Sequence, residues 1–563
     1  MVAVGQASPS IVLAASLHPQ RRYSGSTYVI GFDGSTVFAR NNNTGKIEYS
    51  STDATTVIQN AINAFGTTGG TIFLTTGTYE VGQIVVAKSG VTIEASPGAV
   101  LSAIHDGVTK RLFYSTIAGD PVYGQKTGPI ASAPVVLVDS AQDVILRNIV
   151  IDGNPPSGTG YYRDGIFVWD SSRILIEGCE IKNVEGNGIR VRSSGTYDLG
   201  DPENSHLKSS NITITNCYVH NTITHTTAPS TANWVFGWGY EIEYSDQVTV
   251  SSSVASNCQE SSFRLQYSRH VLFDSNTADL IDRGGEPHTG ESFDIYRSDH
   301  IGIKNNRILE PLGIYVYEFV RNLVAEGNQL SGCAGDCAHS LGVRLCGLEG
   351  SRSFPIENIQ FKNNVIANGI LLSNYYLKNL SFVGNTFYYL QTTTPGGPTT
   401  FDEISFTNNN FLAAGDNPPA ALVVIPMSFV GNRFQNRIYV QGTTGQVVVQ
   451  DNDFSSDGVS YATGIYIKDS VQYIQIEGNH FHDLTYEGIV AYGSNGVFKI
   501  TNNTFDNNGY KMARNQIDLG SGSASSVILN NNTFRNTVGQ YAAWLGGNPS
   551  DISGNVSDKP ISQ

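Results

Sequence analysis

Cysteine is scarce in this chain: there are six in 563 residues, too few for a disulfide scaffold at that length. Long apolar runs are missing as well. No stretch approaches the roughly eighteen apolar residues of a membrane span. Ile11 to Ala15 is too short for the apolar core of a signal peptide and no basic segment precedes it, so no clear signal peptide is expected. Positive charge is in deficit, with 34 Lys and Arg against 49 Asp and Glu and a net charge of −15. That balance argues against nucleic acid as a general partner. No histidine spacing has the pattern of a zinc site. Helical periodicity is nearly absent.

What the chain has instead is 40% apolar residues, 59 glycines and many asparagines, the composition of short strands joined by tight turns. The one amphipathic helix is expected at residues 55–65, with Val57, Ile58, Ala61, Ile62 and Phe65 on one face. Ser51, Thr52 or Asp53 can cap its start, and Gly69-Gly70 stops it. A lone helix ahead of a long strand array reads as a lid over an open end of a β-stack. Residues 1–50 read as an irregular leader with one or two strands, 51–556 as a single body, and 557–563 as a polar tail.

From Val135 onward one unit repeats. Its mark is an Asn followed two places later by an apolar residue: Asn364, Asn385, Asn409, Asn432, Asn452, Asn479, Asn503, Asn532 and Asn555, spaced 20 to 29 residues apart. Upstream the same place is assigned to Asn148, Cys179, Cys217, Ser253, Asn276, Asn306 and Asn328. A unit this short cannot bury its apolar face alone and must stack on copies of itself. Asn suits the turn because it tolerates left-handed backbone, and stacked amides can bond along the axis. Cys179 and Cys217, in ladder positions, are read as buried packing. With its entry helix and Asn ladder, the stretch Thr52 to Asn555 resembles the right-handed parallel β-helix proteins of the pectate-lyase superfamily. The expected fold class is therefore all-β, a right-handed parallel β-helix (a solenoid) with a short N-terminal capping helix. Such a fold hosts lyases, hydrolases, epimerases and phage tailspikes, so the function has to come from the site.

Three segments align: YEIEYSDQVTV from Tyr240, FRLQYSRHVLF from Phe263 and FDIYRSDHIGI from Phe293. Alternation turns Tyr240, Ile242, Phe263, Leu265, Phe293 and Ile295 inward and Glu241, Glu243, Arg264, Gln266, Asp294 and Tyr296 outward. Extended to neighbouring coils, one outward column reads Phe167, Arg190, Glu241, Arg264, Asp294, Tyr315, Arg344, Leu371. The adjacent column reads Trp169, Arg192, Glu243, Gln266, Tyr296, Tyr317, Cys346, Ser373. Aromatics flank a charged centre, as expected of a groove that stacks sugar rings and holds acidic groups. The substrate-binding set is Trp169, Arg190, Arg192, Gln266, Tyr296, Tyr315, Tyr317 and Arg344. Loops over 193–210, 218–238, 277–290 and 331–340 fall on the same coils and read as groove walls. The same pattern also describes a solvated charge ladder, although the coincidence with aromatics and long loops fits that poorly.

Two chemistries follow. Glu241 and Asp294, two coils apart, have the roughly 9–10 Å spacing near the upper edge for inverting glycoside hydrolysis. Glu241 and Glu243 form a second possible pair. Elimination on a uronate instead needs its carboxylate neutralised and its α-proton removed. Glu241-Ile-Glu243 followed by Arg264 and Arg269-His270 resembles the chondroitinase-B and alginate-lyase family. That resemblance implies Ca²⁺ on Glu241 and Glu243, with Arg264 near the proton transfer. The family's Lys base is absent, and Ser245-Asp246-Gln247 stands there. Glu286-Pro287-His288 resembles the Asp-Pro-His motif of alginate epimerases and adds His288 to the candidates. Asp164 and Glu291 stand at the entrances of groove strands, and Cys333 and Cys337 can pin a groove-side loop. The expectation is cleavage of an acidic polysaccharide, elimination slightly preferred over hydrolysis because four arginines favour a carboxylate. A monomeric or homotrimeric sugar-binding fibre is the reading from another class. A polysaccharide partner points to an extracellular or cell-surface site of action.

Overall fold

The structure is a computed structural model of the chain. It describes residues 25–105, 108–109, 111–118, 130–155, 163–223, 237–279, 291–309, 313–330, 341–346, 355–367, 369–373, 376–393, 400–412, 421–443, 445–456, 462–493, 496–510, 513–520, 524–546 and 549–562. His288, Cys333 and Cys337 lie outside these residues, as do most of the expected wall segments 218–238, 277–290 and 331–340.

Three long parallel sheets wind around one apolar core as a right-handed β-helix. Each coil contributes one short strand to each sheet, so every residue sits directly over its counterpart one coil away. The corner after the second strand shows why the sequence winds this way. Asn216, Asn305, Asn363 and Asn408 hold φ between 53° and 55° there, and Gly327, Gly384 and Gly431 hold 67°. From Asn305 to Gly431 the column alternates Asn and Gly because each Asn side chain fills the space above it. A Cβ on Gly384 would lie 2.5 Å from Asn363 Oδ1, and one on Gly327 would lie 2.7 Å from Asn305 Oδ1. Glycine is thus required twice over, by the left-handed backbone and by the neighbour's amide.

The next residue carries the ladder. Asn306, Asn328, Asn364, Asn385, Asn409, Asn432, Asn452, Asn479, Asn503, Asn532 and Asn555 each accept at Oδ1 from the side-chain amide of the preceding rung, and Asn276 accepts from the backbone N–H of Ser253. Their own Nδ2 groups also bond to backbone carbonyls of the coil before, as Asn409 does to Phe382 at 2.9 Å. From Asn276 to Asn555 the ladder thus satisfies backbone carbonyls and its own amides, which the core would otherwise leave orphaned. Cys179 and Cys217 occupy the same column as buried thiols. The assignment of Asn148 to it is corrected. Arg147 pairs with Glu177, which places Ile149 opposite Cys179 and leaves Asn148 one place earlier, in the left-handed position at φ 56°.

The helix spans Ala54–Asn63, two residues shorter at its end than expected, with Asp53 as N-cap accepting from the amides of Thr55 and Thr56. Val57, Ile58, Ala61 and Ile62 are buried against the first coils, which closes the core's end. Two expectations at the termini are refined. In place of the expected one or two strands, Tyr28–Asp33, Thr36–Asn41 and Ile47–Ser51 form an antiparallel set of three that joins the first sheet through the parallel pairing of Tyr28 with Ile72 and Ile30 with Leu74. The polar end is not a free tail, since Ile561–Ser562 pairs with Ala543–Trp544 as a last parallel strand. Tyr218–Thr222 and Thr277–Asp279, read as parts of loops, are strands of the stack. No helix among the described residues is long and apolar enough to cross a membrane.

Replacing Asn409 by Ala removes the acceptor of Asn385 and the donor to Phe382. Leaving these buried groups unpaired should cost about 2–4 kcal/mol. Hydrogen exchange should accelerate in the coils around 385–432 and little elsewhere, because contacts in a stack are nearest-neighbour.

Candidate active site on the middle coils

The strand register places both outward columns as the alternation predicts. Phe167 pairs with Arg190, Arg190 with Glu241, Glu241 with Arg264, Arg264 with Asp294, Asp294 with Tyr315, and Tyr315 with Arg344. The second column pairs Trp169 with Arg192, Glu243 with Gln266, and Gln266 with Tyr296. The inward residues Tyr240, Ile242, Phe263, Leu265, Phe293 and Ile295 are fully buried.

The outward charges are not solvated, which rules out the exposed charge ladder. Glu241 is 0% exposed, Glu243 5%, Asp294 4%, Arg190 3% and Arg192 5%. Burial at this level requires partners. Arg190 bonds through Nε to Glu241 Oε2 and lies 3.3 Å from Asp164 Oδ2. Asn187 Nδ2 donates to the same Glu241 oxygen at 2.7 Å. Arg192 pairs with Glu243 at 2.7 Å and donates to Ser115 Oγ at 2.8 Å. Arg264 lies 3.4 Å from Asp294, donates to Gln266 Oε1 at 2.6 Å, and stacks 4.0 Å from the Trp238 ring and 5.3 Å from that of Tyr296. Tyr317 donates to Glu291 at 2.9 Å and stacks on Tyr296 at 4.2 Å.

Five carboxylates (Asp164, Glu241, Glu243, Glu291 and Asp294) thus share three guanidinium groups (Arg190, Arg192 and Arg264). The deficit falls on particular acids. Burial pushes Asp294 up to about 8, with Glu291 adding to it and Arg264 opposing. Burial pushes Glu241 up to about 7 against the pull of Arg190. Glu291 is raised, chiefly by burial. Glu243 is instead held low, because Arg192, Arg190 and Arg264 outweigh its burial. Two oxygens in the cluster have no hydrogen-bond partner among the described residues: Glu241 Oε1 and Asp294 Oδ1, on either side of Arg264.

Several assigned roles change. Trp169 packs with Phe113, Phe167 and Leu137 in a buried aromatic cluster, with ring centroids 4.9 Å from Phe113, so it has no face for a substrate. Arg190 and Arg192 are consumed by Glu241 and Glu243 and do not stand free to bind one. Arg344, only partly buried and set over Tyr315 at 5.6 Å, keeps an Nε without a partner among the described residues. Tyr315, Tyr317 and Cys346 form one buried cluster beside Tyr296. Glu241 and Glu243 do not fit Ca²⁺, which takes six to eight oxygens. One oxygen of each is bonded to an arginine, and a third guanidinium stands on the next strand. Sequence reasoning missed Asn187, Trp238 and Ser115. Asn187 and Trp238 stand two places before groove strands, as do Asp164 and Glu291. That periodic position was the available signal for them. Ser115 comes from a distant segment and had none.

Comparison with known proteins agrees with the winding. The family profile described as right-handed beta helix region matches residues 134–285, 238–411 and 392–534. No curated protein matches the sequence significantly. Among solved structures, the chain is similar to the A-module of the mannuronan C-5 epimerase of Azotobacter vinelandii, at 15% identity and a TM-score of 0.34 over 76% of this chain and 90% of that one. It is similar to the endo-xylogalacturonan hydrolase of Aspergillus tubingensis, at 15% identity and 0.33 over 80% and 93%. It is also similar to a surface adhesin of Streptococcus pneumoniae, at 13% identity and 0.37 over 78% and 88%.

Raised carboxyl pKa values carry a stability consequence of definite sign. The folded state holds protons on Glu241 and Asp294 that the unfolded chain releases near pH 4. Stability contributed by these groups is therefore lost as pH rises from about 4 through about 7 and 8. Melting temperature should fall between pH 5 and pH 8.5, and the combined E241Q/D294N replacement should flatten that slope.

Proposed function

The chain belongs to the right-handed β-helix family, and within that fold we propose that the middle coils hydrolyse a glycosidic bond of a polysaccharide by acid–base catalysis. The observation that carries this reading is the pair of unpartnered, buried oxygens on Glu241 and Asp294, held on opposite sides of Arg264. Asp294, raised to about 8, is the acid that protonates the leaving oxygen. Glu241, raised to about 7 and polarised by Arg190 and Asn187, is the base that takes a proton from the attacking water. Their strands are two steps apart, about 9–10 Å, which leaves room for that water and favours inversion at the anomeric carbon. Arg264, fixed between Trp238 and Tyr296, sets the orientation of Asp294 and stabilises charge on the sugar ring. Tyr296 supplies an aromatic face at the rim of the site.

Elimination loses its main support once the arginines are accounted for. Of the four counted toward a substrate carboxylate, Arg190 and Arg192 are internally paired, and Arg264 faces Asp294. Among the described residues, Arg264 and Arg344 each keep a partnerless Nε, and of these two only Arg344 faces no carboxylate of the cluster in an ion pair. An acidic sugar seated toward Arg344 remains compatible with hydrolysis.

The test incubates the full chain with neutral and acidic polysaccharides, following reducing ends and absorbance at 235 nm together. Hydrolysis raises reducing ends alone. D294N and E241Q should each lower kcat by about 10²–10⁴ with little change in KM, and EDTA should leave the rate unchanged. The rate should peak between about pH 7 and 8, falling below as Glu241 takes a proton and above as Asp294 loses one. Absorbance rising in step with reducing ends would replace this reading with elimination, and silence in both channels would replace it with binding alone.

A further inference from the structure

Outside the groove, the fold gathers a second set of functional side chains that sequence spacing does not reveal. The left-handed column early in the first-sheet strands is mostly Asn from Asn322 onward, but adjacent coils place His270 and His300 there, both at φ 52°. Arg269 pairs with Asp299, so the two histidines stand one above the other, with rings 5.0 Å apart. The wall segment 193–210 crosses these coils and brings in Glu203 from the short turn Pro202–Asn204. His270 Nε2 and His300 Nδ1 each lie 3.3 Å from Glu203 Oε1. All three donor atoms fall within 4.8 Å of one another.

We propose that Glu203, His270 and His300 bind a divalent transition metal, zinc by the chemistry of the donor set, and that the ion clips the 193–210 wall to two coils of the stack. The separations decide for a metal over direct hydrogen bonds. Tetrahedral zinc with bonds of about 2.0–2.1 Å sets its ligand atoms about 3.3 Å apart, whereas N–H···O bonds close to about 2.7–3.2 Å. The surroundings orient the ligands. Asp246 Oδ1 lies 2.9 Å from His270 Nδ1, which turns Nε2 toward Glu203, the carboxylate–histidine–metal arrangement. Asp246 is itself held by Arg269 at 3.0 Å. Arg269 also donates to Pro202 O at 2.7 Å and lies 3.5 Å from Glu203 Oε2, positioning the turn while leaving Oε1 for the ion. Asp299 Oδ1, 3.1 Å from His300 Nδ1, adds negative charge beside the site. The fourth position is left to water.

A second cluster, Asp453, His480 and His482, has similar separations of 3.4 and 3.2 Å but joins only two neighbouring strands and bridges no loop. The test therefore uses a D453A/H482A background. Full-length protein, stripped with chelator and dialysed, is titrated calorimetrically with zinc chloride. Saturable binding is expected, weakened at least about tenfold by E203Q and by H270A. Zinc should also slow proteolytic cutting within 193–210, and H270A should abolish that protection. E203Q alters an exposed loop residue and is not expected to disturb folding, which circular dichroism verifies. Absence of saturation up to about 1 mM zinc, or binding unchanged by E203Q and H270A, overturns the proposal.

Discussion

In a parallel stack every outward residue lies one strand spacing, about 4.8 Å, from the residues above and below it in its column. Like charges at that distance repel, and more strongly once loops exclude water. A buried column must therefore alternate sign, and this one does: Arg190, Glu241, Arg264, Asp294 in succession. Alternation leaves each interior charge with a neighbour of opposite sign above and below. It also fixes which groups point toward each other, since rotating any one side chain away strands its partners in a dry environment. The geometry of the site is thus a product of the register, and the register is a product of the turns and the Asn ladder.

Alternation does not make the cluster neutral. Glu291 and Glu243 add negative charge that Arg192 only partly offsets, so five acids face three cations. The protons that the cluster retains collect where pairing is weakest. Glu243 has a close bond to Arg192 and stays ionised. Asp294 has only Arg264 at 3.4 Å, with Glu291 nearby, and is raised furthest. Two chemically similar carboxyls in neighbouring columns, Glu243 and Asp294, are thereby separated into a permanent anion and a group that keeps its proton, by pairing and burial alone rather than by chemical type.

The fold was legible because its rules are local. A strand of period two, a left-handed Asn or Gly at the corner and an Asn one place later recur in most coils, and the columns read from Phe167 to Arg344 match the pairing residue by residue. The slip at Asn148 has a local origin too, since Asn serves both the corner and the ladder and the two places are adjacent. What sequence could not give was the partner of each outward side chain across coils. Arg190 and Arg192 look the same in sequence whether they await a substrate or neutralise Glu241 and Glu243. Trp169 likewise looks like a sugar platform until Phe113, more than fifty residues earlier, covers its face. Those distinctions depend on insertions whose landing place no periodicity encodes.

That difference between a presented and a consumed cation is what favours hydrolysis over elimination in the proposed reading. Elimination at a uronate needs positive charge directed at the substrate's carboxylate, and then a base of sufficient strength at its α-carbon. Here the strongest positive charges are already neutralised inside the cluster, and the Lys that would serve as base is replaced by Ser245-Asp246-Gln247. Hydrolysis asks for less: one acid that keeps its proton near neutrality, one carboxylate that can lose it, and a gap that admits water. Asp294 and Glu241 meet the first two conditions chiefly through burial, with neighbouring carboxylates adding to it. The intervening Arg264 coil sets the third, because a single interposed strand spaces the two acids at twice the stack's repeat.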